Sequence, residues 1–240
     1  MIHVNSLSKK YKDVVVLDIE SLEIPSGQIF GLVGNNGAGK TTFFSLLLDL
    51  IKASSGHILN NQVQVDISED WKPFTSAFID ESFLIGYLTP EEYFYFIGEL
   101  RGLNQADVDQ FLKPFEDFFH GEILNGKKYL RDLSKGNQKK VGIVASFLGQ
   151  PKVIILDEPF ANLDPSTQIR LKKIIADYRS NPDVTLLISS HDLAHVTEVC
   201  QRIVVLNKGQ IVKDIQTSER TLKELEGFFA EEILVTSTVG

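Results

Sequence analysis

The sequence predicts an α/β fold in which a parallel core sheet is interrupted by a helical insertion. Three observations carry this. Short apolar runs alternate with helical periodicity near both ends of the chain. A glycine-rich segment, Gly34 to Thr41, lies between a run that reads as strand and one that reads as helix. From Thr89 to Leu148 the patterning is helical throughout.

Taken in order, Val14–Leu17 and Ile29–Val33 are short apolar strands, the second following the turn Pro25-Ser26-Gly27. A helix is expected over residues 41–51. Ile58-Leu59 and Val63–Val65 flank Asn60-Asn61, which reads as a hairpin turn. Thr89-Pro90-Glu91-Glu92 has the form of a capping box with Pro at the first helical position. Tyr93, Phe96, Ile97 and Leu100 then recur at helical spacing, and Gly102 ends the helix. Asn104 caps the next one, which carries Val108, Phe111, Leu112 and Phe115, with Pro114 as a break. A third helix runs from Ser134 to Gly149 and buries Val141, Val144, Ala145 and Leu148. Val153–Leu156 is a strand apolar on both faces, as in parallel sheets. Asp164-Pro165 opens a helix with Leu171, Ile174, Ile175 and Tyr178 on one side. Leu186–Ser189 (strand), Leu193–Cys200 (helix) and Arg202–Leu206 (strand) follow, then the turn Asn207-Lys208-Gly209-Gln210 and a last helix over Thr221–Phe229.

The 240 residues carry a net charge of −8, with 43% hydrophobic and 23% charged residues. That composition suits a globular chain and argues against nucleic-acid or anionic-lipid binding driven by overall charge. The single cysteine, Cys200, allows no internal disulfide or multi-cysteine metal site, and its apolar neighbours Val196 and Val199 predict a buried, inert thiol. No apolar run reaches the roughly 18–20 residues a membrane span needs. Met1-Ile2-His3-Val4-Asn5 does not begin a secretory signal, so a soluble protein of a reducing compartment is expected.

Gly34-Asn35-Asn36-Gly37-Ala38-Gly39-Lys40-Thr41 fits G-x-x-x-x-G-K-[ST], the phosphate-binding P-loop, in the strand-to-helix context that motif requires. Its glycines let successive backbone N–H groups converge on phosphate oxygens, and the helix N-terminus adds positive potential. Lys40 reaches the terminal phosphates and the Thr41 hydroxyl ligates Mg²⁺, with Thr42 a weaker candidate beside them. The bland alternative is a glycine-rich turn that binds nothing. A second signal weighs against it: the apolar run Val153–Leu156 ends in Asp157 and Glu158, at the strand edge where open α/β sheets bind ligands. Asp157 there suits Mg²⁺, and Glu158 can take a proton from an attacking water.

With both motifs placed, 117 residues apart from Lys40 to Asp157, the chain resembles the ATP-binding-cassette (ABC) ATPases over nearly its whole length. The resemblance implies a RecA-like P-loop NTPase with a parallel core sheet, an N-terminal antiparallel β subdomain and a helical insertion subdomain. It implies one domain over 1–240: a nucleotide-binding core from 1–82 and 150–220, a helical subdomain over 83–149 and a tail over 221–240. Tyr11, 23 residues before Gly34, looks like the family's adenine-stacking aromatic. Leu133-Ser134-Lys135-Gly136-Asn137 is similar to the signature L-S-G-G-Q, with Lys135 and Asn137 departing from it. In the family the signature caps the γ-phosphate held on a partner's P-loop, which would assign Ser134 and Gly136 to that contact. Ser134 is equally a plain helix cap. Asn162-Leu163-Asp164 looks like the D-loop, which contacts the dimer mate.

His191, 34 residues after Asp157, matches the family's switch histidine. The other four histidines form no recognisable site. The family's metal-contacting Gln at the end of the strand before the insertion is replaced by Asp80, with Glu81 the alternative if the register slips by one. A carboxylate there can ligate Mg²⁺ but cannot donate as an amide does. The resemblance implies an ATPase subunit using ATP and Mg²⁺ and acting as a homo- or heterodimer without nucleic acid. It would sit in the cytoplasm, peripheral on the inner membrane, driving transport (export being the expected direction) through integral membrane permease subunits. Phe83, Tyr87 and the stretch Tyr93-Phe94-Tyr95-Phe96 are partly core and partly, by the same resemblance, a contact for those subunits. The competing readings are a soluble ABC ATPase acting in assembly and a P-loop kinase outside the family.

Overall fold

The structure, a computed structural model, describes residues 1–237, with side chains through residue 231. The elements in chain order are β1 (Ile2–Tyr11), β2 (Val14–Ile24), β3 (Ile29–Val33), α1 (Lys40–Leu47), β4 (Ser55–Asn60), β5 (Val63–Gln64) and β6 (Thr75–Phe78). There follow α2 (Pro90–Leu100), α3 (Gln105–Leu112), α4 (Glu116–Phe119), α5 (Lys135–Phe147), β7 (Val153–Leu156) and α6 (Pro165–Asp177). The chain continues through β8 (Thr185–Ser190), α7 (Leu193–Val199), β9 (Arg202–Asn207), β10 (Gln210–Gln216) and α8 (Thr221–Ser237).

Two sheets organise the fold. The first is antiparallel in the order β2-β1-β4-β5. The second runs β10-β9-β3-β8-β7-β6, parallel except for the β10 edge. Its central strands are buried on both faces, and the period of two divides their side chains cleanly. Phe30, Leu32, Ile155, Leu187 and Val204 face the antiparallel sheet and α1. Ile29, Val33, Ile154, Leu156, Leu186, Ile188 and Val205 face the helical layer. The strand ends carrying residues 34 and 157 therefore emerge at the same edge of a doubly covered sheet, with the end of β8 between them. The expected P-loop NTPase architecture, with its antiparallel N-terminal sheet and helical insertion, is the one observed.

Several element boundaries differ from expectation for identifiable reasons. β1 and the second half of β2 escape a reading by apolar runs, because β1 alternates core residues with Ser, Asn and Lys and β2 slips its alternation after Ile19. β10 escapes for a similar reason: it alternates exposed residues with half-buried ones along a sheet edge. α1 stops at Leu47 rather than residue 51, since Asp49 turns left-handed at φ 51°. The hairpin turn is not Asn60-Asn61 but Asn61-Gln62, both left-handed (φ 50° and 69°). Asn60 stays in β4, fully buried, and its amide donates to Thr75 Oγ1 at 2.8 Å. Phe96 and Leu100 are exposed, and Phe94 is fully buried in their place. The cause is Gly98: a Cβ there would stand 2.4 Å from Val108 Cγ2, so α3 approaches α2 along that face. The capping box at Thr89, the cap at Asn104 and the break at Pro114 form as expected, and Asp107 turns the Asn104 cap into a second capping box. The last helix continues past Phe229 to Ser237, and residues 238–240 of the expected tail lie outside the described residues.

Candidate functional site

The site starts from the turn between β3 and α1. Gly34 accepts no side chain: a Cβ would lie 2.3 Å from the Leu206 carbonyl oxygen and 2.8 Å from Ala38 Cβ. Gly39 stands at φ 108°, where an L side chain is strained, and directly precedes the helix. Between them Ala38 N–H closes a turn onto the Asn35 carbonyl at 3.0 Å. The loop from Gly34 through Asn35, Asn36, Gly37 and Ala38 to Gly39 thus aims the start of α1 outward at the sheet edge. Lys40 folds back over it. Its ammonium is buried, donates to the Gly34 carbonyl at 2.6 Å and lies 3.3 Å from Glu158 Oε1. Thr41 Oγ1 donates to Asp157 Oδ2 at 2.5 Å. Thr42, half-buried one residue on, joins none of these bonds.

Asp157 is 4% exposed. Burial pushes its carboxyl up from the usual range, while donors Ser189 and Thr41 and the nearby Lys40 oppose the shift and Glu158 adds to it. Glu158 adopts a left-handed backbone (φ 46°), and its N–H donates to Ser189 Oγ at 2.9 Å. Its carboxylate spans two elements: Oε1 faces Lys40, and Oε2 lies 2.9 Å from His191 Nδ1 and accepts from the His191 N–H at 3.3 Å. His191 is half-exposed at the end of β8. Lys40, Thr41, Asp157, Glu158 and His191, called from separate parts of the sequence, converge in one place.

Two residues of the site were not foreseen. Ser189 is fully buried, bonds Asp157 Oδ1 and supports the Glu158 amide. Its signal was a hydroxyl inside an otherwise apolar buried strand, which needs a polar partner. Lys139, buried on α5, donates to the Glu158 carbonyl at 3.0 Å. Nothing in its helical spacing separated it from a solvated lysine.

The remaining candidates fall around this centre. Tyr11 lies at the tip of the β1–β2 hairpin, paired with Val14, and two residues later the Val16 carbonyl reaches the position a Gly39 Cβ would take. Its ring is 51% exposed, with Lys9 Nζ 4.8 Å from the centroid. Asp80 follows β6, whose register pairs Phe78 with Leu156, so residues 79–81 run beside 157–159. Asp80 is exposed, and its carboxylate caps its own turn, accepting from Ser82 N–H at 2.6 Å. Glu81 instead turns inward to within 3.8 Å of Lys139 Nζ. Ser134 caps α5, accepting from Asn137 N–H at 3.2 Å, and a Cβ on Gly136 would stand 3.1 Å from the Asn162 carbonyl. The chain does not bring them to its own P-loop: among the described residues, no hydrogen bond or ion pair joins 133–137 to 34–42. Asp164 caps α6 with three donors from Ser166 and Thr167, which hold its carboxyl well below the usual range. Cys200 is buried, with its thiol pushed far up, so it is inert.

The donor set fits a magnesium nucleotide. Thr41 and Asp157 offer hard oxygen ligands in contact with each other, Lys40 supplies charge, and the loop backbone opens onto the same edge.

The chain matches the family model described as ABC transporter over residues 17–161. It is 32% identical over 244 residues to an uncharacterized ABC transporter ATP-binding protein of Bacillus subtilis, covering 97% of this chain and 75% of that one. It is also similar to the solved structure of an ATP-binding subunit of an ABC transporter, with TM-score 0.82, 27% identity and 99% of both chains covered. A dimeric ATP-binding cassette in a post-hydrolysis state with ADP and Pi shares the fold at TM-score 0.78 and 20% identity, over 91% of this chain and 99% of that one.

Proposed function

The chain belongs to the ABC transporter family, and we propose that it hydrolyses ATP at the P-loop edge to power transport through separate membrane subunits. The observation that carries this is the Glu158 carboxylate, held between Lys40 and His191 beside the Thr41–Asp157 pair. In this reading the loop 34–39 and Lys40 hold the phosphates, Thr41 and Asp157 hold Mg²⁺, and Tyr11 stacks on the base. Bound Mg²⁺ would neutralise charge on the β- and γ-phosphate oxygens. Glu158 takes the proton of the attacking water as general base, and His191, already on its Oε2, orients that carboxylate and faces the γ-phosphate. Asp80, at the end of the neighbouring strand β6, would add a further carboxylate for Mg²⁺ once released from the Ser82 N–H that it caps here. Two hydroxyl donors favour the ionised form of Asp157 against its burial, which suits a metal ligand.

Ser134 and Gly136 then serve a second copy. Two chains pair head to tail, and each signature helix points its N-terminus at the nucleotide on its mate. Their separation from the chain's own Lys40 and the dimeric cassette among its structural neighbours support this.

The membrane contact is placed in a groove of about 420 Å³ where α1, β6, α2 and α5 meet, lined by Leu48, Trp71, Phe78, Leu84 and Ile97. Phe83 and Leu100, which also line it, are exposed, as is Tyr87. Those anchors suit a short amphipathic helix from a permease. Among the described residues, no helix is long and apolar enough to cross a membrane, so the span is assigned to that partner and the chain to the cytoplasmic face. Export is the direction proposed, by analogy with one-cassette chains whose signature departs from L-S-G-G-Q in the same way.

Phosphate release by the purified chain, compared with Lys40→Ala, tests the reading. ATP-dependent release by the parent chain that is lost together with nucleotide binding in the variant supports it. Unchanged ATP affinity in Lys40→Ala overturns it.

A further inference from the structure

Lys139 is a lysine with almost no access to water. It lies just past the first turn of α5 at 5% exposure, and its Nζ donates to the Glu158 carbonyl oxygen at 3.0 Å. Glu81 Oε1 lies 3.8 Å from the same nitrogen, and that oxygen is buried without a hydrogen-bond donor of its own. Burial pulls the lysine's pKa down, while Glu81, Glu158 and Asp157 pull it up. An apolar side chain of the same length would fill this space without the desolvation cost of a charge. What the cation adds is a tie between three segments: α5, the turn after β6 and the loop after β7.

That tie meets the backbone in the left-handed region. Glu158 holds a left-handed φ of 46°, a conformation that persists in a non-glycine residue only when its surroundings fix it. Its two peptide groups are gripped from opposite sides, the N–H by Ser189 and the carbonyl by Lys139. On the far side, the Glu81 turn is continuous with Ile79, Phe83 and Leu84, which line the apolar groove together with Gly142 and Ala145 of α5. Gly142, three residues after Lys139, presses that face of the helix against the Phe78 ring and Leu84.

We propose that Lys139 is a positioning residue that sets the backbone of Glu158 and links it, through Glu81, to the segment forming the groove wall. The proposal rests on the reading of Glu158 as the general base. Lys139→Met keeps the length and the aliphatic stem and removes the donor. Glu81→Gln keeps the donor and weakens the link, and the double variant leaves no buried charge unpaired. Lys139→Met is expected to lower kcat for ATP hydrolysis by up to about 100-fold, the scale of a misplaced catalytic group. KM for ATP should move less than about two-fold, because Lys40 and Thr41 are untouched. Glu81→Gln should lower kcat less, and the double variant should be no slower than Lys139→Met alone.

Amide hydrogen exchange over residues 157–163 gives a readout independent of turnover, because the Ala161 N–H shares the Glu158 carbonyl with Lys139. It should accelerate in Lys139→Met. A kcat within about two-fold of the parent, a loss carried by KM, or additive effects of the two substitutions would each overturn the proposal. If the parent chain hydrolyses no ATP, the reading of Glu158 fails. Exchange then decides the link alone: faster exchange in Lys139→Met sustains it, and unchanged exchange overturns it.

Discussion

Removing the Ser189 hydroxyl should destabilise the protein in a pH-dependent way. Ser189 Oγ donates to one oxygen of the buried Asp157, while Thr41 donates to the other at 2.5 Å. The same hydroxyl accepts the Glu158 N–H at 2.9 Å. Ser189→Ala therefore leaves a buried carboxylate one donor short and a backbone donor without its acceptor. A hydrogen bond to a charged group is worth about 1.5–3 kcal/mol, so a loss of about 2–3 kcal/mol is expected at neutral pH. For a chain of this size that is a fall in Tm of about 4–12 °C. The sign with pH follows from Asp157. Burial already raises its folded pKa above the unfolded value, and Ser189 opposes that shift. The variant's carboxyl rises further, so the part of the cost that comes from Asp157 is complete above the variant's folded pKa and is lost as the pH falls through the parent's folded pKa, while the part from the unpaired Glu158 N–H remains at every pH. Thermal unfolding in magnesium-free buffer should show the widest gap between parent and variant at pH 7–8, narrowing toward pH 4. Equal melting at pH 7, or a gap that does not change with pH, refutes the argument.

Two other substitutions separate the local arrangement from the assembly. Ser134→Arg should abolish phosphate release while leaving ATP affinity within about two-fold, because that residue serves the opposite chain's nucleotide. Equilibrium nucleotide binding beside a turnover assay checks it, and normal turnover would place the signature outside the reaction. Gly142→Ala puts a methyl 2.2 Å from Phe78 Cδ2 and 2.3 Å from its Cε2. Denaturant unfolding should show a loss of about 1–3 kcal/mol from overpacking, and parent-like stability would mean that α5 does not press on β6 as described.

Where the sequence was readable, local chemistry and tertiary structure asked for the same residue. The P-loop is such a case: Gly39 is needed by the backbone angle and Lys40 by the phosphates, and both lie in eight consecutive positions. The strand ending in Asp157-Glu158 is another, since four apolar residues followed by two carboxylates and Pro159 suit a short doubly buried strand. Thr89 announced its helix through a capping box and Asn104 through a cap, and both form.

The misses share a cause, which is that a neighbour distant in sequence decided the outcome. Gly98 reset the buried face of α2 because α3 crosses there, so Phe94 went inside and Phe96 stayed out. Asn60 looked like a turn residue and became a strand residue, its buried amide nitrogen finding an acceptor in Thr75. β1 carries too many polar residues to read as an apolar run, yet pairing on both edges holds it in place. Ser189 and Lys139 belong to the site through partners 32 and 19 residues away. No spacing rule within one element reports such contacts.

The central claim is that Glu158 performs the hydrolysis of a nucleotide held by residues it already touches. Glu158→Gln tests it most directly, with phosphate release and oligomeric state measured together in ATP and Mg²⁺. Turnover should fall by about 10²–10⁴, the scale of a general base, with ATP still bound and the protein trapped as a closed dimer. Parent-level phosphate release from Glu158→Gln would contradict it.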